Sequence, residues 1–355
     1  MAQAMFLSFP IPMISTLFFM RTSLNFTKDK IMHNLLTILA ALVASTAVAS
    51  PILELNIDHA QVTVSGISAG GQMAHQLHIA YPEVFSGAGI IAGGPFGCAE
   101  GSLTTAMTRC MGSVQGELPI AQFAEEIRSA ARAGKLGETS ALVDDPVWVF
   151  HGVLDKTVSA KLSDATVALY GEFMPSKNIH YVSDVEVAHT FPTRGHGNEC
   201  TSTASPFIGD CDYDAAGELL QHLYGKLQKP ADIQKFELTE TTLPGALAAG
   251  LLETAYLYVP PACKNTGQSC KAHLVLHGCA QSTAQIGTAF IEQSGYLLWA
   301  EANNIVLAFP QVASAAANPI ACWDWWGYTG ASYRWRDGAQ MKVLADWLRG
   351  TTSNQ

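Results

Sequence analysis

Residues Val62 to Ala74 read VTVSGISAGGQMA. A short apolar run with β-branched residues ends at Gly66, and helical spacing of apolar residues begins at Gly70. Between them stands Gly66-Ile67-Ser68-Ala69-Gly70, a G-x-S-x-G pattern. Glycines at both ends allow a sharp strand-to-helix turn with close packing, and such a turn lifts a serine hydroxyl clear of a sheet. The pattern alone occurs by chance, and a serine capping a helix would look similar. A strand before it and a helix after it make it specific. Such a turn needs a sheet to stand on. Here it comes only about 20 residues after Ser50, the expected start of the mature chain. The rest of the sheet has to be supplied by later residues.

That start is read from an export signal. Residues 32–50, MHNLLTILAALVASTAVAS, run from a short polar start into an apolar stretch from Leu35 to Val48. Lys28 and Lys30 lie just upstream, and Ala47-Val48-Ala49 offers a small-residue cleavage site. The stretch is short for a membrane span. The expectation is a leader over 1–49 with the true start at Met32, then one catalytic domain over 50–355. Removal of the leader leaves no stable membrane insertion. The product is secreted, to the medium or the periplasm.

Composition supports this. Of 355 residues 48% are hydrophobic and 14% charged, which suits a large packed core and not a disordered chain. The net charge of −10 comes without basic blocks, so phosphate counterions cannot be replaced and nucleic acid is a poor partner. Eight cysteines fit an oxidising compartment. Many connectivities remain open, but the spacing suggests three close pairs and a left-over pair, 279 with 322. There is no C-x-x-C, no His-x-Glu and no H-E-x-x-H. Neither a metal nor another cofactor is expected.

The mature chain has no repeats and no Pro/Ser-rich linker, which argues for one domain. Strands are expected at QVTVSG, GAGIIAGG, PVWVFHG, NIHYVSD, TAYLYVP, AHLVLHGC and NNIVLAFPQ. Helices are expected at GGQMAHQLHIAYPEVF, YDAAGELLQHLYGKL, GTAFIEQSGYLLWAEAN and DGAQMKVLADWLRG. The alternation predicts an α/β fold, with a mostly parallel sheet covered on both faces.

A serine nucleophile needs a base, and the base needs a group that fixes its tautomer. Asp155 in VWVFHGVLDKTVS follows a strand that breaks at glycine, so it falls just past a carboxyl end, where such sheets gather their sites. An ordinary turn aspartate is the alternative. His189 in VEVAHTFPTRGHGNEC follows the next strand. His196 rivals it, but lies between glycines and is harder to hold at hydrogen-bond distance. His75, His78 and His222 fall on helices and read as surface or packing residues. Ser68, Asp155 and His189 then occur in the chain order of an α/β-hydrolase triad. The oxyanion hole takes one backbone N–H from Ala69. The second comes from the loop after an earlier strand, which often carries His-Gly. HLVLHGCAQS fits, yet its Cys279 lies about 210 residues after Ser68. Placing the segment from about Ala255 onward in front of Val62 restores the usual order. That is a circular permutation, which neighbouring termini make tolerable.

The chain resembles the single-domain polyhydroxybutyrate (PHB) depolymerases. The resemblance is carried by SGISAGGQMA, GGPFGCA, GVLDKTV, HTFPT, SPFIGDCDYDAAG, LVLHGCAQS, SGYLLWAEANNIVLAFPQ and CWDWWGY. It implies a circularly permuted α/β-hydrolase fold. It also implies Ser68, Asp155 and His189 as triad, and Ala69 and Cys279 as oxyanion donors. The implied disulfides are Cys98–Cys110, Cys200–Cys211, Cys263–Cys270 and Cys279–Cys322. The family's substrate-gripping tryptophan falls on Trp323. Ala69 replaces a serine of the fungal pattern, which matters little because only its N–H is needed. The loop VASAAANPIA looks shorter than in fungal relatives, which bears on substrate length. Trp323, Trp325 and Trp326 are expected to bind substrate, and exposed aromatics in this stretch would adsorb to polyester. The expected partner is a hydrophobic polyester or a hydroxyalkanoate oligomer, taken by a monomer. A feruloyl- or acetylxylan-type esterase is the second reading, and an inactive hydrolase-like binding protein the third.

Overall fold

The computed structural model describes residues 55–350 except 115, 232–234 and 265–266. The expected leader and the expected Met32 start lie outside the described residues. In chain order the strands are β1 (Ile57–Ile67), β2 (Ala88–Ile91), β3 (Val147–Phe150), β4 (Ile179–Val182), β5 (Phe191–Thr193), β6 (Asn198–Glu199), β7 (Ile208–Asp210), β8 (Leu238–Thr242), β9 (Thr254–Tyr258), β10 (Cys270–Leu276) and β11 (Ile305–Phe309). Among the described residues, eight of them form one sheet in the order β4-β3-β2-β1-β10-β11-β9-β8. β9 runs antiparallel to both neighbours and the other pairs are parallel. Counted from β8 through β11 and then β1 through β4, the spatial order reads 1-2-4-3-5-6-7-8 with the second strand reversed. This is the α/β-hydrolase sheet in permuted chain order. The strands needed around Ser68 come from the C-terminal third.

The helices are α1 (Ala69–Ala80), α2 (Leu103–Arg109), α3 (Ile120–Arg132), α4 (Ala160–Tyr170), α5 (Ala215–Tyr224), α6 (Thr283–Ile286), α7 (Ala289–Gln293), α8 (Tyr296–Asn303) and α9 (Ala339–Arg349). Every residue of α1 is buried. It is enclosed on every side, and its polar side chains His75, Gln76 and His78 are met by partners: His75 Nδ1 lies 3.2 Å from the Gly94 carbonyl, Gln76 Nε2 donates to the Asp324 carbonyl, and His78 lies between Tyr170 and Asp145. The expected helix over GTAFIEQSGYLLWAEAN divides into α7 and α8, because Gly295 at φ 88° breaks the hydrogen-bond ladder. His75 and His78 are packing residues, fully enclosed.

β2 and β3 are apolar without alternation (AGII and VWVF) and buried on both faces, as central parallel strands are. One row crosses five strands through Leu276, Gly66, Ile90, Val149 and Tyr181. Ser68, Gly278, Asp155 and His189 all lie downstream of that row, so their loops leave the same edge of the sheet. Disulfides brace this edge. Cys98–Cys110 ties the segment after β2, Cys200–Cys211 the segment after β4, and Cys279–Cys322 joins the loops after β10 and β11. Cys263–Cys270 closes the entry to β10. All four are the pairs the resemblance implies.

Candidate active site

Ser68 sits where β1 meets α1, with φ 56° and ψ −120°. A non-glycine residue with positive φ is strained, and such strain gathers at functional turns. Its N–H donates to the Ile91 carbonyl at 2.8 Å, which pins the turn to β2. The flanking glycines are required by contact. A Cβ on Gly66 would come within 2.4 Å of the Gly70 carbonyl. One on Gly70 would come within 2.4 Å of the carbonyl oxygens of both Leu276 and His277. Gly70 thus lets the helix start touch the end of β10. The same approach brings Gly278 against Ser68, where its own Cβ would stand 3.5 Å from that of Ser68.

Asp155 closes a tight turn after β3. One oxygen, Oδ1, accepts the N–H groups of Thr157 and Val158 at 2.8 and 2.9 Å. The other, Oδ2, lies 2.7 Å from Nδ1 of His189. A carboxylate only accepts, so Nδ1 carries the proton and Nε2 is left as a base. The Asp155 side chain is fully enclosed and that of His189 nearly so. The buried His151 supports the turn, with Nε2 3.0 Å from the Val158 carbonyl. The His189 N–H donates to Thr203 Oγ1, and the Ala188 N–H to the Cys200 carbonyl. The disulfide loop therefore holds His189. His196 is exposed on the same segment. Asp155 and His189 are brought together. Ser68 Oγ has no hydrogen bond to a protein group among the described residues, a common state of nucleophiles without substrate.

The loop after β10 is ordered by its own side chains. The Val312 N–H donates to Nε2 of His277 at 3.3 Å, so Nδ1 bears the proton and donates to the Gly278 carbonyl at 2.7 Å. Burial lowers the His277 pKa to about 4, which keeps the ring neutral. In a trans peptide the carbonyl and the next N–H point opposite ways. Holding the Gly278 carbonyl back on His277 therefore turns the Cys279 N–H away from that ring. The Gly278 N–H is already taken by Gln281 Oε1 at 2.8 Å. No protein acceptor meets the N–H of Ala69 or Cys279 among the described residues.

The aromatic stretch corrects an expectation. Trp323 is fully enclosed, and its Nε1–H donates to the His277 carbonyl at 3.0 Å. Trp326 and Tyr333 are buried, while Trp325, Tyr328 and Trp335 are half-buried. No aromatic of this segment is an exposed patch. The cause is Asp324, a fully buried carboxylate that accepts the N–H groups of Trp326, Gly327, Tyr328 and Thr329 and so folds the segment inward. The Arg334 guanidinium lies 4.6 Å from the Trp335 ring centre and covers it. Large exposed apolar side chains are aliphatic instead: Leu103, Met107, Val153, Leu247 and Ile320 on segments leaving the carboxyl edge, with Val143 at the other edge. Sequence patterns do not mark these, because single exposed aliphatic residues are ordinary on any surface.

No protein-family model matches the chain. It is 40% identical to the poly(3-hydroxybutyrate) depolymerase of Delftia acidovorans over 295 residues, 82% of this chain and 59% of that protein's length. It is 33% identical to the polyhydroxybutyrate depolymerase of Talaromyces funiculosus over 332 residues, 89% of this chain and 96% of the relative. The crystal structure of PHB depolymerase from Penicillium funiculosum superimposes with a TM-score of 0.78 at 32% identity, over 84% of this chain and 98% of that one. A serine-to-alanine variant of a PHB depolymerase complexed with an R3HB trimer matches equally well. The permuted sheet, the four disulfides and a likeness that spans nearly all of the Talaromyces enzyme together show that the chain belongs to the polyhydroxybutyrate depolymerase family of carboxylic ester hydrolases.

Proposed function

We propose that the protein is an exported serine esterase that hydrolyses poly(3-hydroxybutyrate) or its oligomers. Ser68 Oγ attacks the ester carbonyl while His189 Nε2 takes its proton. The tetrahedral oxyanion is held by the N–H groups of Ala69 and Cys279, which act where charge develops. His189 returns the proton to the leaving alcohol, and an acyl-enzyme on Ser68 remains. Water, deprotonated by His189, then releases the acid. Asp155 fixes the tautomer of His189 and stabilises its cation. The observation that carries this reading is the 2.7 Å Asp155–His189 pair on the edge where the strained Ser68 turn meets the His277-Gly278 loop.

Family membership and the aliphatic rim favour polyester. Leu103, Met107, Val153, Leu247 and Ile320 are exposed on segments that leave the edge carrying Ser68, where they would meet a hydrophobic surface laid on that edge. Export is supported by the four disulfides, which persist in oxidising compartments. The test is product analysis on amorphous polymer, on defined 3-hydroxybutyrate oligomers and on feruloyl esters. Release of hydroxybutyrate products at the higher kcat/KM is expected. A preference for feruloyl esters would overturn the substrate assignment. Ser68→Ala should still adsorb to polymer granules while all turnover is lost.

A further inference from the structure

Gln281 is 2% exposed, and backbone groups meet all of its polar atoms. Oε1 accepts the Gly278 N–H at 2.8 Å. Nε2 donates to the Pro206 carbonyl at 3.0 Å and to the Phe207 carbonyl at 3.1 Å. These contacts belong to two separate loops. Gly278 is in the loop after β10, one residue before Cys279 and so near Ser68 that a side chain there would meet it at 3.5 Å. Phe207 lies beside the histidine segment, since its carbonyl also accepts the Phe191 N–H at 2.9 Å, two residues after His189. Phe207 is itself held at φ 56°, an unfavourable value for an aromatic residue. The two loops come from opposite halves of the permuted chain, and about 70 residues separate Phe207 from Gln281. Neither loop belongs to the other's strand.

We infer that Gln281 is a positioning residue, a strut that fixes the oxyanion loop and the His189 segment in one frame. The inference rests on the proposed triad and oxyanion hole. An oxyanion donor must meet the place where charge will develop, while the base must reach the serine proton at the same moment. Two loops that drift separately by even 1 Å lose that coincidence. A neutral amide suits this place because it accepts at one end and donates twice at the other. A carboxylate of the same size could only accept. Gln281 also occupies the Gly278 N–H, so that Cys279 presents the next free donor in the loop. The role is transition-state specific, because substrate binding in the ground state needs neither donor in register with the base.

The experiment compares the wild type with Gln281→Met and Gln281→Glu on a soluble p-nitrophenyl ester and with a boronic acid that forms a tetrahedral adduct. Gln281→Met breaks both ends of the strut. Gln281→Glu keeps the Gly278 contact and sets a carboxylate against two carbonyl oxygens. Both variants should lose kcat by about tenfold or more, with the larger loss in the Met variant, while KM stays within about twofold. Boronate affinity should fall in parallel with kcat. A lowered Tm with kcat unchanged in a folded variant, or a rise in KM alone, would overturn the strut. If the Met variant does not fold, the Glu variant carries the test. Fluorophosphonate labelling of wild-type Ser68 is run beside it. Labelling with an unchanged variant kcat defeats only the strut, whereas absence of labelling defeats the triad on which it rests.

Discussion

Two histidines in this protein sit within reach of partners that could make a Ser–His machine, and they differ in instructive ways. His273, in the middle of β10, lies 2.7 Å from Ser65 Oγ and 2.6 Å from Thr63 Oγ1. His189, on a loop past β4, lies 2.7 Å from Asp155 but makes no hydrogen bond to Ser68. By distance to a serine alone, His273 is the better candidate. Its surroundings exclude it. Thr63 Oγ1 donates to Tyr224 OH, so it accepts from His273 Nδ1, and His273 Nε2 accepts from Ser65. Tyr296 OH in turn donates to Ser65, and Tyr224 OH to the Ala272 carbonyl. Every proton in this chain is spoken for, no carboxylate stands behind the ring, and Ser65 and His273 are wholly enclosed. Burial pushes the His273 pKa down to about 3, so it cannot store a serine proton at neutral pH. What sets the proposed site apart from this buried network is a carboxylate orienter and a serine that is strained and partly exposed, and not proximity.

The network nevertheless stands close to the chemistry. Ser65 lies in β1 three residues before Ser68, and His273 in β10 five residues before Gly278. It fastens the two strands that end in the Ser68 turn and the His277-Gly278 loop, the proposed nucleophile and oxyanion elements. Its role is therefore in stability.

The sharpest way to break this contrast is a pair of variants. Asp155→Asn should lower kcat by about 10⁴-fold with little change in Tm, because the asparagine amide holds His189 in the wrong tautomer. Ser65→Ala should leave kcat within about threefold. It should cost about 1–3 kcal/mol, since it strands the Tyr296 hydroxyl and the second nitrogen of His273. Steady-state kinetics beside urea unfolding reads both. Large loss of kcat in Ser65→Ala with none in Asp155→Asn would reverse the assignment.

A smaller effect appears in the pH dependence of stability. Burial lowers the pKa of His75 to about 3, of His273 to about 3 and of His277 to about 4. In the unfolded chain each titrates near pH 6.5. The unfolded state therefore binds more protons below about pH 6.5, and stability falls as the pH drops. Between about pH 6.5 and 5 the loss should steepen toward about 1.4 kcal/mol per pH unit for each of the three rings. His273→Leu should unfold with one proton fewer taken up at pH 5. An unchanged slope would mean that His273 is charged in the folded protein and that its network is not the neutral chain described above.

Much of this was legible in the sequence, for identifiable reasons. Gly66-Ile67-Ser68-Ala69-Gly70 announced the turn because contact, and not only conformation, forbids a side chain at both glycines. The permutation could be read because the displaced strands keep strong apolar runs. β8 was missed: LTETT is a polar edge strand, partly exposed, and carries little hydrophobic signal. α3 and α4 were missed as well, although α3 is amphipathic with Phe123, Ala124 and Ile127 buried. The pairing of Asp155 with His189 was legible from chain order after strands. The inward fold of the tryptophan segment was not, since it depends on Asp324 meeting four backbone N–H groups, which no residue spacing states. Gln281 had a faint signal: it stands three residues after Gly278, close enough to fold back on that N–H, but glutamine is ordinary in loops.

The central claim is that the strained Ser68, and not the histidine-bonded Ser65, is the nucleophile. Fluorophosphonate labelling followed by peptide mass spectrometry tests it most directly. A single adduct on Ser68 that disappears in Ser68→Ala and persists in Ser65→Ala is the predicted result. An adduct on Ser65, or labelling that survives Ser68→Ala, would contradict it.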